Sequence, residues 1–148
     1  MLNYRVISLA LLLFALFAGC GKRNREVAPA LANLIGTWQL ADSDSSYAVT
    51  LEFAYDDRNP PIDITPFLAS GKSSVNQYSA RMFATIDGTM QINELANTEI
   101  AGTSAAMQFE ANYFAKLRSV VRFEETSSNE LRLFHGGSTP GSLLFKKK

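Results

Sequence analysis

Apolar and polar positions alternate along most of the chain from Leu34 onward, which predicts a β domain. Leu34-Ile35-Gly36-Thr37-Trp38-Gln39-Leu40 reads as a first strand entered through a glycine, with Trp38 a core residue. Tyr47, Val49, Leu51, Phe53 and Tyr55 share one face of a second strand, with Thr50 and Glu52 on the other. Asn59-Pro60-Pro61 cannot continue a ladder, so Asp56 to Pro61 reads as a turn, after which Ile62 and Ile64 alternate with Asp63 and Thr65. Tyr78, Ala80, Met82, Ala84 and Ile86 form the next apolar face, and Asp87-Gly88 signals a hairpin into Met90-Gln91-Ile92. A second hairpin joins Val121-Arg122-Phe123 to Leu131-Arg132-Leu133 through Ser127-Ser128-Asn129. Ser142 to Phe145 is the last strand, beyond a loop rich in glycine.

Only the stretch from Ser104 to Arg118 carries helical spacing. Met107, Ala111, Phe114 and Leu117 share a stripe there, with Ala106 and Tyr113 at its edge. Thr103 or Ser104 can cap its start, and Lys116 with Arg118 suits the negative end of the helix dipole. The predicted fold is mainly β with one α-helix (α+β): a small antiparallel β-barrel-like sheet with a single helix packed on it.

The first residues follow a different pattern. Arg5 precedes an almost unbroken apolar run from Val6 to Gly19, too short to reach the roughly twenty residues a membrane-spanning helix needs. The run ends in Phe17-Ala18-Gly19-Cys20, which resembles the lipobox of bacterial lipoproteins, with Phe17 where that motif usually carries Leu. This predicts a lipoprotein signal peptide over residues 1–19, a lipidated tether over 20–33 and one domain over 34–148, with Cys20 as the lipid-attachment residue. Acyl chains on Cys20 would anchor the protein in a membrane, and Lys22, Arg23 and Arg25 follow where anionic headgroups would lie. Gly21 replaces the Asp that would signal inner-membrane retention, so the outer membrane is the expected destination.

Composition narrows the function classes. Fourteen basic and fourteen acidic residues cancel, which argues against nucleic acid as a partner. The single cysteine rules out an internal disulfide and a multi-cysteine zinc site, so the exported domain depends on its core.

Five segments, taken in order, resemble the META domain, the family of HslJ-like envelope lipoproteins. Leu34 to Leu40 is similar to its L-x-G-T-W-x-L start, and Ser70 to Ser79 resembles its central glycine…Asn-x-aromatic pattern. Ile92 to Gly102 is similar to its I-x-x-L-x-x-T stretch; Met107, Glu110, Phe114 and Leu117 match its helix, and Asn129 to Leu133 the strand that follows. The resemblance covers residues 34–146 and implies a barrel-like domain with one helix, an association with envelope stress and no established catalytic residues. Many members carry a cysteine before the Asn and another after the Thr stretch, a pair able to bond. Val75 and the Ala101–Gly102 region stand there in this chain, so that link is absent.

Candidate chemistry is sparse. His135, the only histidine, lies beside Gly136-Gly137 and reads as a solvated loop residue, with no G-x-S-x-G serine to work with. Gly71-Lys72-Ser73 ends like a P-loop, but Pro66 stands where its first glycine belongs. Asp56, Asp57 and Asp63 lack calcium-loop spacing and read as a solvated turn. Glu110 falls within the helix stripe, where a carboxylate needs partners, so a structural bond to a neighbouring strand's backbone is expected. Asn76 is expected to satisfy turn backbone in the same way, and Lys146-Lys147-Lys148 to be a solvated tail. No catalytic residue, metal ligand or cofactor is predicted, and the ligand-binding residues stay unassigned. The expected function is that of a non-catalytic, lipid-anchored envelope lipoprotein that binds a protein partner or supports envelope stress tolerance. The alternative is a carrier of an acyl chain inside the barrel.

Overall fold

The computed structural model describes residues 27–41, 46–58 and 64–148. The signal peptide, Cys20, the basic tether residues, Asn59-Pro60-Pro61, Ile62 and Asp63 lie outside them. A single helical turn, α1 (Pro29–Ala32), precedes eight strands and a longer helix. The strands are β1 (Gly36–Leu40), β2 (Thr50–Tyr55), β3 (Thr65–Lys72), β4 (Gln77–Ala84), β5 (Met90–Asn97), β6 (Val120–Ser127), β7 (Glu130–His135) and β8 (Gly141–Lys147), with α2 (Ser104–Arg118) between β5 and β6.

All pairings are antiparallel, in the order β5-β4-β3-β2-β1-β8-β7-β6. The sheet curls until its outer strands meet at one bridge, Thr89 with Arg122, beside which Phe123 N donates to Gly88 O at 2.8 Å. Antiparallel order sorts every connection to one of two ends of this near-barrel. One end holds α1, the β2–β3 connection, the β4–β5 and β6–β7 hairpins and the end of β8. The other holds the β1–β2, β3–β4 and β7–β8 connections and the start of α2.

Each strand turns one face inward, which is why the two-residue period was so regular. Trp38, Leu51, Phe53, Phe67, Met82, Leu131, Leu133 and Phe145 have essentially no accessible area and fill the inner face of the sheet. Leu31 and Leu34 are buried with them, so the core reaches back into the segment expected to be tether.

Several expectations need correction. The helix buries Ala106, Glu110, Tyr113, Phe114 and Leu117, while Met107 and Ala111 are exposed. The inward stripe is rotated toward Ala106 and Tyr113, the residues expected at its edge, and Glu110 lies in it as expected. Ile86 continues the alternation of β4 in sequence but sits past the end of that strand, in the hairpin, and is 73% exposed. The third strand starts at Thr65, so Ile64 precedes it and is exposed. The closing lysines are exposed as expected, but Lys146 and Lys147 extend β8 instead of forming a tail: Lys146 pairs with Gln39, and the Lys147 ammonium lies 5.0 Å from the Trp38 ring centroid and donates to Asn33 O at 3.0 Å.

Candidate functional site

The residues singled out in sequence gather mainly where α2 meets the β3–β4 turn. Thr103 caps α2, its hydroxyl accepting from Ala106 N at 3.3 Å, and so fixes where the helix starts. Glu110 is 4% exposed there. Its Oε2 accepts from Asn76 N at 2.9 Å, from Val75 N at 3.4 Å and from the Ser73 hydroxyl, while Oε1 accepts from Asn76 Nδ2 at 2.6 Å. Burial pushes this carboxyl toward the protonated form, but the donors from Ser73, Asn76 and Val75 outweigh it and hold Glu110 below the usual carboxylate value.

Asn76 carries the connection onward. Its second Nδ2 proton goes to Ile100 O at 3.1 Å, and its Oδ1 accepts from Ile100 N and the Thr98 hydroxyl, both at 2.7 Å. Both donors and both lone-pair sites of the amide are therefore used. The expected structural roles of Glu110 and Asn76 hold, and the two meet in one clamp over three segments: the β3–β4 turn, the β5–α2 connection and α2. A buried, ionised carboxylate with three donors on Oε2 and one on Oε1 fixes the backbone around it.

The family model of the META domain matches residues 32–147. The chain belongs to the META domain family. No curated protein matches it. Among solved structures, one titled "NMR structure of the protein from Burkholderia xenovorans" is similar, with 19% identity and a TM-score of 0.57 over 86% of this chain and 97% of that one. At that identity the likeness speaks for the fold.

Within this META domain the glycine of the central pattern has a steric task. A Cβ on Gly71 would lie 2.0 Å from Thr50 O and 2.9 Å from the Tyr78 hydroxyl, so only glycine lets β3 approach β2 this closely. Through that space Tyr78 donates to Thr50 O at 2.8 Å, which leaves Tyr113 to donate to the Tyr78 oxygen, also at 2.8 Å. Burial raises both phenols well above the ordinary tyrosine value; for Tyr113 the neighbouring Tyr78 adds to it. Gly71-Lys72-Ser73 is thus the end of β3 and the start of the clamp, not a phosphate loop. Where the family resemblance implies a cysteine pair, Val75 covers Gly102: a Cβ there would lie 2.5 Å from Val75 Cγ2.

Two other expectations change. His135 is the last residue of β7 and only 6% exposed, because Gly141 opposite it has no side chain to displace the imidazole. It lines a groove of about 470 Å³ with Asn112, Lys116, Ser119 and the Gly136–Thr139 loop, apart from the Glu110 clamp. Asp56 is buried, not solvated, and its Oδ2 lies 2.9 Å from Arg81 Nη2. Asp57 is exposed. Among the described residues, no three of His, Cys, Asp or Glu come together as a metal site would require. The sequence did not single out Tyr78–Tyr113 or Asp56–Arg81, since both pairs join residues at least 25 positions apart.

Proposed function

We propose that this META domain is held at the outer membrane by acyl chains on Cys20 and acts there without catalysis, by binding a protein partner or supporting the envelope under stress. The observation that carries the reading is the short apolar run ending in Phe17-Ala18-Gly19-Cys20. Family membership supports a domain of this kind in that setting. The non-catalytic part is supported by the state of Glu110, which is buried and bonded to Ser73, Val75 and Asn76 in a structural clamp. The alternative, acyl-chain carriage inside the barrel, gains no support from an interior lined by fully buried Trp38, Phe53, Phe67 and Phe145.

Mass spectrometry of protein extracted from membranes tests the anchor. Loss of residues 1–19 with added acyl mass on Cys20 is expected, and an uncleaved, unmodified N-terminus overturns the reading. Turnover by the purified soluble domain would overturn the non-catalytic part.

A further inference from the structure

The described chain begins at one particular end of the barrel. Val27 packs on the core there. Asn33 is tied on two sides, its Nδ2 donating to Glu125 at 3.2 Å and its carbonyl accepting from Lys147. Cys20 lies seven positions before Val27. Fully stretched, that reach is at most about 25 Å, no more than the length of one eight-residue strand. The end that carries α1 is therefore the end held nearest to whatever anchors Cys20.

That same end exposes two large apolar side chains; Ile100 at the opposite end is 58% exposed too, so the reach from Cys20, and not exposure alone, selects this end. Ile86 stands at the β4–β5 hairpin, 73% exposed, and Ile64, just before β3, is 52% exposed. Ile86 is not needed for its turn. The hairpin is made by Gly88 at φ +86° and by Asp87, which accepts from Thr89 N at 3.1 Å and from the Thr85 hydroxyl. Charges nearby are mixed, Arg58 and Lys148 against Asp57 and Asp87, so electrostatic attraction to an anionic surface does not account for this end.

We propose that the α1 end of the domain rests on the lipid surface, with Ile64 and Ile86 in the headgroup boundary. This rests on the lipid-anchor reading above, and lipid is the occupant because the chain entering this end is the one that carries the acyl chains. The contact holds the domain in one orientation and turns the opposite end, with the His135 groove, away from the membrane. The two isoleucines are orienting contacts, and the acyl chains supply the attachment.

The test uses the full, acylated chain in phosphatidylethanolamine–phosphatidylglycerol vesicles. Ile64→Cys, Ile86→Cys and, at the opposite end, Thr139→Cys are made singly and labelled with a nitroxide. Acylation occupies the Cys20 sulfur, so the introduced thiol is the free one, and mass spectrometry checks this in each sample. Collision of the label with lipid-soluble oxygen is compared with collision with a water-soluble nickel chelate. Oxygen over nickel should rise several-fold at positions 64 and 86 relative to 139. An acylated, vesicle-bound protein with nickel-dominated collisions at 64 and 86 overturns the inference and leaves the anchor reading intact. So does an oxygen-dominated signal at 139. Protection of 64 and 86 in native envelope membranes but not in vesicles assigns this end to a protein partner and overturns the lipid assignment. A chain without acyl mass that stays off the vesicles overturns the anchor reading itself, and this inference with it.

Discussion

Replacing Val75 and Gly102 by cysteine should create a disulfide that stabilises the domain. A Cβ built on Gly102 lies 3.6 Å from Val75 Cβ, within the separation of about 3.5–4.5 Å that disulfides span. The only tight contact is the 2.5 Å approach to Val75 Cγ2, an atom that the substitution exchanges for the bonding sulfur or removes. Gly102 has no left-handed φ, so a side chain there adds no backbone strain. Cross-linking closes a loop of about 28 residues, which the chain-entropy relation puts at about 3.5 kcal/mol. The lost valine packing costs about 1 kcal/mol, a penalty common to oxidised and reduced forms. The assay is urea denaturation of a chain starting at Gly21, which has no other cysteine, with and without reductant; the difference isolates the cross-link. Two thiols that stay free after oxidation, or an oxidised form no more stable than the reduced one, would refute the placement of the β3–β4 turn against the β5–α2 connection. The single change Gly102→Ala is the converse control. Its Cβ meets the intact Val75 and should destabilise by about 1–3 kcal/mol.

Glu110→Ala leaves donors of Ser73, Val75 and Asn76 buried without an acceptor and should cost about 3 kcal/mol or more, measured by urea denaturation. Glu110 is held below its ordinary value of 4.5, so its contribution is fully present above that pH and is lost as pH falls from there through its folded-state value. Glu110→Gln should therefore flatten the acid limb of the stability curve below pH 4.5 by one proton, and an unchanged limb counts against the clamp. Gly71→Ala places a Cβ against Thr50 O and should prevent stable β2–β3 pairing, seen as loss of the cooperative thermal transition. Lys147→Met removes the ammonium over Trp38 and the bond to Asn33, and should destabilise by about 1 kcal/mol in the same assay.

The strands other than β3, which shares only Thr65 with the strand expected around Ile62 and Ile64, were legible because each buries one face on a single core, so burial follows sequence parity. Parity fails where the strand stops. Ile86 keeps the apolar rhythm of β4 after Ala84 has ended it, and the turn chemistry of Asp87-Gly88 decides its place instead. His135 and the closing lysines were misplaced for a related reason. Glycine and charge mark loops and tails on average, but here Gly141 makes room for the imidazole and Trp38 receives Lys147. On the helix, Glu110 lies in the inward stripe as its position suggests, but the stripe is centred nearer Ala106 and Tyr113 than Met107 and Ala111. The partners of Glu110 could not be named from sequence: they lie 34 to 37 positions away, and nothing local selects them.

The clamp explains where function is to be sought. Asn76 of the central pattern, Thr98 of the stretch before the helix and Glu110 of the helix are the family-like polar residues, and they are hydrogen-bonded to one another or to the same backbone. Gly71 of the same pattern is consumed by the approach of β3 to β2. These residues tie the α2 end shut and carry no free polar group outward, so they account for a shared fold. The surface that these residues leave unused includes the isoleucines at the α1 end and the groove beside His135 at the other. Under the anchoring proposed above, the acyl chains and the groove would lie at opposite ends of the domain, and a partner reaching the groove would approach from the side away from the membrane.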